Sequence, residues 1–212
     1  MNAAMGPVYP VNLLLGGRPV LVVGGGRVAL QKVRGLLDAG AAVTVVAPEV
    51  ADDIAALPGV TVHDRPYQRN EVVGYRLVVA ATGDPSVNQA VFDDGEAAGV
   101  WVNSADDPDR CSVTLPARVR RGDLLVTVST GGRSPALAAW LREKLEADIG
   151  PEYEVLLGLL AEERDRLRAE GVATESLNWR QAIGSGMLEK IRDGSLSEAR
   201  ELLRACLSSS LG

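Results

Sequence analysis

A glycine run between a short β-rich segment and a helical one constrains this chain more than any other feature. Val20-Leu21-Val22-Val23 has the pattern of a strand. Gly24-Gly25-Gly26-Arg27-Val28-Ala29 fits G-x-G-x-x-G/A, and Arg27 to Ala39 has helical spacing, stopped by Gly40. Strand, glycine turn and helix in this order make the phosphate-binding turn of a dinucleotide-binding fold. Gly24 permits the tight turn, Gly26 lets the backbone approach a pyrophosphate, and Ala29 lets the helix lie close to the sheet. Free N–H groups and the macrodipole at the helix start favour the anion. Val28, Val33, Leu36 and Leu37 are expected on the buried face.

The alternation continues. Val43-Thr44-Val45-Val46, Val60-Thr61-Val62, Leu77 to Ala81 and Val100-Trp101-Val102 read as further strands. Asp84 as N-cap and Pro85 at the first helical position open a helix to Ala98, ended by Gly99. Alternating strands and helices imply a parallel sheet covered on both faces. The pattern then changes. Val113-Thr114-Leu115 and Leu124 to Val128 look like two strands joined by a basic turn, Arg118 to Gly122. Ser134-Pro135 opens a helix to about Ile149, and Tyr153 to Leu207 reads as helical, with capping-box spacing at Ser195 and Glu198. The expected fold is α/β: a Rossmann-type parallel sheet domain over 1–112, a small αβ segment over 113–149 and a C-terminal helical domain over 150–212.

Charge sorts the function classes. The 212 residues carry 22 Lys and Arg against 28 Asp and Glu, a formal net charge of −6, which disfavours nucleic acid as partner. No apolar run approaches the ~18–20 residues of a membrane span, and Met1 to Gly17 lacks the basic start of a secretory signal. Cys111, Cys206 and the single histidine, His63, form no zinc or Cys-His spacing, so no resident metal is expected. Both cysteines are expected as small buried apolar residues, and His63 at a strand edge. A cytoplasmic location is expected. Within this acidic chain, residues 113–145 carry six basic and two acidic side chains. That island suits either a solvated face or a polyanionic small molecule.

Candidate site residues follow the strand ends. After the second strand, Pro48-Glu49 is followed by Asp52 and Asp53. Glu49 is the best candidate for the ribose 2′-hydroxyl, and no basic residue follows until Arg65, so NAD is favoured over NADP. Thr82, after the fourth strand, is placed toward the nicotinamide side, and Asp84 as a cap. After the fifth strand, Asp106, Asp107 and Asp109 are three candidates for a general base, and spacing does not choose among them.

Four segments carry a family resemblance. Tyr9-Pro10-Val11 through Leu15 resembles an opening strand, and Val22 to Lys32 resembles V-G-G-G-x-V-A-x-R-K, with Gln31 in place of the usual Arg. Asn103-Ser104-Ala105-Asp106-Asp107-Pro108 resembles N-x-x-D-x-P. Val128 to Ala138, with Leu141-Arg142-Glu143-Lys144-Leu145 after it, resembles S-S-G-G-x-S-P-x-L-A and L-R-E-K-L, Thr130 standing for the second Ser. Together, over roughly residues 8–146, they resemble the precorrin-2 dehydrogenase / sirohydrochlorin ferrochelatase family.

The resemblance implies NAD-dependent oxidation of precorrin-2 to sirohydrochlorin, in siroheme or cobalamin synthesis, with Asp106 as the catalytic carboxylate. It adds Arg27, Val28, Pro48 and Glu49 to Gly24, Gly26 and Thr82 as cofactor residues. It implies a homodimer through 113–149 and, in some members, insertion of Fe²⁺ as a transient substrate. The substrate is a polycarboxylate, so the basic island supplies its candidate partners: Arg133 first, with Arg118, Thr130 and Ser134 beside it, and Arg120, Arg121, Arg142 and Lys144 in the same pool. The rival expectations are a dehydrogenase for another small carboxylate and an NAD-sensing regulatory or binding protein.

Overall fold

The computed structural model describes residues 7–105 and 107–209. The chain divides into two compact units, one running through Leu115 with Gly131–Arg133, the other made of Pro116–Thr130 and the chain from Ser134 on.

The first unit is a five-stranded parallel sheet with helices. Its elements are β1 (Pro19–Val23), α1 (Arg27–Leu37), β2 (Ala42–Ala47), α2 (Asp52–Ala55), β3 (Val60–Asp64), β4 (Leu77–Ala80), α3 (Pro85–Ala98) and β5 (Trp101–Ser104). The strand order is β3-β2-β1-β4-β5, all parallel. This is the Rossmann arrangement, whose order reverses between β1 and β4 and opens a crevice at their carboxyl ends. β1, β2 and β4 are valine-rich because both faces are buried. Val20, Val22, Val43, Val45 and Val79 pack with α1 on one face, and Leu21, Val23, Val78 and Val102 with Val91 of α3 on the other.

Local signals set several ends. Asp84 caps α3 by accepting the Ser86 N–H at 2.8 Å, Pro85 takes the first position, and Gly99 ends the helix in the left-handed region (φ 67°). His63 is exposed on β3, an edge strand. Three expectations are corrected here. α1 turns Ala29, Val33 and Leu36 inward, while Val28 is partly exposed, because the stripe one residue later matches the 3.6-residue period. Residues 7–15 form no strand, and only Leu15 among them is buried. The thiol of Cys111 is half-buried in polar contacts, described below.

The second unit has a two-stranded antiparallel ribbon, β6 (Ala117–Arg121) and β7 (Leu124–Val128), followed by α4 (Pro135–Asp148), α5 (Glu152–Ala169), α6 (Trp179–Ile183), α7 (Met187–Arg192) and α8 (Leu196–Ser208). The expected strand at Val113–Leu115 lies instead at Ala117–Arg121, and the basic segment is the strand, not the turn. Alternation explains it: Val119 is buried while Arg118 and Arg120 on either side are exposed. Arg121 pairs with Leu124 across Gly122-Asp123, where Gly122 has φ 55°. Arg121 also donates to Ile149 O (2.9 Å) and Glu146 O (3.0 Å), satisfying carbonyls at the end of α4. The core of this unit is leucine-rich and lies among α5 to α8, around Leu156, Leu159, Met187 and Leu203. The capping box expected at Ser195 does not form. The Ser195 side chain makes no cap bond, and Glu198 pairs with Lys190 at 2.6 Å, since a full charge nearby competes better than an amide.

Among the described residues, no helix is long and apolar enough to cross a membrane.

Candidate active site at the carboxyl edge of the sheet

The three glycines of the turn answer three different demands. Gly24 has φ 126°, donates its N–H to Val46 O (2.9 Å), and a Cβ there would meet Ala81 O at 2.3 Å. β4 thus runs directly against the turn. A Cβ on Gly25 would meet Glu49 O at 2.1 Å, and Gly25 O accepts the Ala51 N–H at 2.9 Å. The loop after β2 is therefore pressed onto the turn, which the motif spacing alone did not show. A Cβ on Gly26 would meet nothing within 4 Å, and its φ of −93° suits any residue. Its lack of a side chain serves no packing within this chain.

α1 starts at Gly26 with no side-chain cap and no acidic residue in its first turn. Its first N–H groups lack the usual side-chain acceptor, and Arg27 adds positive charge. An anion of pyrophosphate type fits such a start, and the open space over Gly26 leaves room for it. Pro48 and Glu49 are exposed beside Gly25. Thr82 follows β4 next to Gly24. Its hydroxyl lies 2.8 Å from Asn88 Oδ1 and accepts the Asp84 N–H at 3.1 Å, while Asn88 Nδ2 donates to Thr82 O at 3.1 Å. Thr82 is pinned to the start of α3 by Asn88, a residue the sequence did not single out. Gly24, Gly26, Arg27, Val28, Pro48, Glu49 and Thr82 are all brought to the β1–β4 end of the sheet.

The loop after β5 carries the three carboxylates. Asp106 lies outside the described residues. Asp107 forms an ion pair with Arg110, and its Oδ1 accepts the Asp109 N–H at 3.1 Å. Arg110 donates also to Gln89 Oε1 at 2.6 Å, and Asp109 is exposed. Asp107 therefore shapes the loop. Cys111 Sγ accepts from the Ser104 N–H (3.2 Å) and lies 3.3 Å from both Ser104 O and Asp107 O, closing the loop from inside. Burial raises the Cys111 pKa, so the group stays a thiol and can donate to one of those carbonyls. Asn103 Oδ1 and Ser104 Oγ, at the end of β5, are buried with no hydrogen-bond partner among the described residues.

The remaining candidates fall between Arg118 and Lys144, Arg133 in the first unit and the others in the second. Thr130 Oγ1 donates to Ser134 O at 3.1 Å, and Ser134 Oγ caps α4 through the Leu137 N–H at 3.2 Å. Gly131 and Gly132 between them have φ of 59° and 72°, which shape the loop that exposes Arg133. Arg118 is exposed on β6. Arg142 pairs with Glu143 and Glu146, and Lys144 lies over the Trp140 ring. Of the pool, Arg120, Arg121, Arg142 and Lys144 thus have contacts within their own unit. Among the described residues, no three of His, Cys, Asp and Glu gather as a metal site.

A family model described as NAD(P)-binding matches residues 11–117, and one described as sirohaem biosynthesis protein central matches residues 121–148. Siroheme synthase of Pseudomonas entomophila is 45% identical over 197 residues, covering 91% of this chain and 42% of that protein. That of Nitrosococcus oceani is 37% identical over 203 residues, covering 93% and 43%. The chain thus spans less than half the length of these curated relatives. A solved structure of SirC, precorrin-2 dehydrogenase, superposes with a TM-score of 0.70 at 30% identity, covering 96% of this chain and 98% of that one.

Proposed function

The chain belongs to the NAD(P)-binding family through residues 11–117 and to that of the precorrin-2 dehydrogenase SirC along 96% of its length, and from that premise we propose that it oxidises precorrin-2 to sirohydrochlorin with NAD. The observation that carries the cofactor half is the uncapped start of α1 under open space at Gly26, at the point where the strand order reverses. The substrate comes from the names of the relatives, siroheme synthase and precorrin-2 dehydrogenase.

In this reading the N–H groups at the start of α1, with Gly24 and Gly26, hold the pyrophosphate, and Arg27 and Val28 line it. Glu49, with Pro48 fixing its backbone, takes the ribose hydroxyls, and Thr82 borders the nicotinamide end. NAD, when bound, supplies a hydride acceptor. Asp106 takes the proton that leaves the reduced macrocycle as the hydride departs, so the two hydrogens lost by precorrin-2 are both accounted for. Asp107 and Arg110 hold the loop that carries it. Arg133 and Arg118 meet substrate carboxylates, and Thr130 and Ser134 keep the loop of Arg133 in shape. Metal insertion is the second step open to the same carboxylate, with Fe²⁺ as substrate rather than resident ion.

Segment 113–149 supplies a homodimer contact in this reading, and 150–212 a separate helical region. No residue of α4 is buried, and Leu137 and Trp140 are exposed on it. Light scattering at micromolar concentration is expected to give the mass of a two-fold dimer. A cytoplasmic location accords with two cysteines that form no disulfide among the described residues.

The deciding experiment adds precorrin-2 and NAD anaerobically and follows the visible spectrum. A sirohydrochlorin band rising together with NADH absorbance supports the reading. Cofactor binding with no tetrapyrrole turnover returns the protein to the NAD-binding class. Adding Fe²⁺ afterwards tests the metal step.

A further inference from the structure

α1 and the segment Cys111–Val113 cover the same face of the sheet. Val113 packs against the cluster that holds Ala29, Val33 and Leu36 of α1, and the Ser112 and Val113 N–H groups both donate to Val102 O. Asn103 faces this side as well. Its partner in register, Val79, belongs to that cluster, and its Nδ2 donates to Val113 O at 3.0 Å. The α1 side of the end of β5 thus gathers Asn103, Cys111 and the second turn of α1.

Lys32 is the charged residue of that turn. It lies three residues after Ala29 and one before Val33, at the border of the buried stripe. Helical side chains lean toward the N-terminus, so its ammonium is carried toward the carboxyl edge, where α1 begins. Burial is the main influence on the Cys111 thiol and raises its pKa, and the Lys32 charge opposes it, as two neighbours on one face would.

Lys32 is half-buried, yet it makes no hydrogen bond or ion pair with any described residue. Other half-buried charged residues of the same unit differ: Arg110 holds Asp107, and Glu71 holds Arg65. A half-buried ammonium with no anion among the described residues is an open half of a pair. Phosphate is the rival anion, but the cofactor's pyrophosphate is served one turn earlier by the α1 amides.

We propose that Lys32 is a substrate-binding residue that takes one peripheral carboxylate of a polycarboxylic tetrapyrrole on the α1 face of the sheet, beside Asn103 and Cys111. The class of substrate rests on the dehydrogenase reading. The nucleotide unit then contributes a cation of its own, outside the basic island of residues 113–145.

The test compares wild type, Lys32→Gln and Lys32→Arg. Lys32→Gln is expected to raise KM for precorrin-2 about tenfold, equivalent to ~1.4 kcal/mol, and to leave the NAD Kd unchanged. Its kcat should stay within about twofold, the signature of lost uniform binding. Lys32→Arg keeps the charge and should recover most of the loss. Quenching of uroporphyrin fluorescence reads the same loss without turnover. Wild-type KM and probe affinity in Lys32→Gln overturn the proposal, and so does a matching loss of NAD affinity, which would make Lys32 a cofactor residue. If wild type binds the probe in a Lys32-dependent way but never turns over precorrin-2, the dehydrogenase reading falls and this assignment stands.

Discussion

The two units each bury a carboxylate, one among mixed donors and the other between two arginines. In the first, Asp94 of α3 is 3% exposed and accepts the Tyr67 hydroxyl (2.6 Å), the Asn70 N–H (2.7 Å) and the Arg69 guanidinium (2.6 Å). It ties the excursion between β3 and β4 to a helix. In the second, Glu163 of α5 is 5% exposed and accepts from Arg166 and Arg204, joining α5 to α8. Both groups are fully satisfied. Among the described residues, the buried side-chain atoms without partners, Asn103 Oδ1 and Ser104 Oγ, lie in the first unit at the end of β5. The backbone-against-backbone glycines, Gly24 and Gly25, are there too. Unmet polar groups and close backbone approach collect at the carboxyl edge, while the helical unit closes on itself. A site is where a fold leaves interactions incomplete.

The comparison breaks most sharply at Asp106. Asp106→Ala is expected to lower dehydrogenase turnover by about 10²–10⁴, the range of a general base, with NAD affinity kept. Asp107→Ala and Asp109→Ala should be much milder in steady-state assays. Retained turnover in Asp106→Ala moves the base elsewhere, and lost NAD binding makes Asp106 part of the cofactor pocket.

Next in size is the contrast of two glycines. Gly24→Ala forces a Cβ against Ala81 O at a positive φ and should destabilise the protein by about 3 kcal/mol, read by thermal unfolding. Gly26→Ala should leave the melting temperature near wild type, because its Cβ enters open space, and should weaken NAD at least about tenfold by calorimetry. A Gly26→Ala variant with wild-type NAD affinity sinks the pyrophosphate assignment.

The buried carboxylates come third. Burial alone would raise the Asp94 carboxyl, but Tyr67, Asn70 and Arg69 together hold it below the ordinary range. Arg166 first, against burial, and then Arg204 hold Glu163 down in the same sense. A depressed folded value gives stability that is present above the unfolded value of about 4 and lost as pH falls below it. Asp94→Asn and Glu163→Gln should each cost about 2–3 kcal/mol at pH 7. Each variant should also flatten the acid limb of unfolding. Equal acid limbs in wild type and both variants would show that other carboxylates govern it.

The smallest effect is cofactor choice. Exposed Glu49 beside the turn should favour NAD over NADP by at least about tenfold, or ~1.4 kcal/mol, in titrations of tryptophan fluorescence. Equal affinities refute the Glu49 assignment.

Much of the first unit was legible in the residues. The helix over Pro85–Ala98 is bounded by Asp84, Pro85 and Gly99, each acting on its own backbone, and in the second unit β7 spans Leu124–Val128 as its pattern reads. The first strand of the ribbon misled because Val113-Thr114-Leu115 has strand propensity, whereas partner choice fell to Ala117–Arg121 through Val119 and the Gly122 turn. Ser195 had the spacing of a cap, but Glu198 found Lys190 across the α7–α8 turn.

The sequence by itself determined the elements whose signals are local: a glycine turn between strand and helix, caps, stops and the period of buried residues. Backbone dihedrals and side chains a few positions apart decide these, and they act before any long-range contact forms. Only the tertiary structure decided that Gly25 must lack a Cβ because Glu49 O lies on it, and that the Cys111 thiol pins the carboxylate loop. It alone brought Lys32 to the side of β5 where Cys111 lies, with no counter-ion among the described residues. Those facts depend on which atoms meet across the sheet, and residues far apart in sequence carry no local signal of such a meeting.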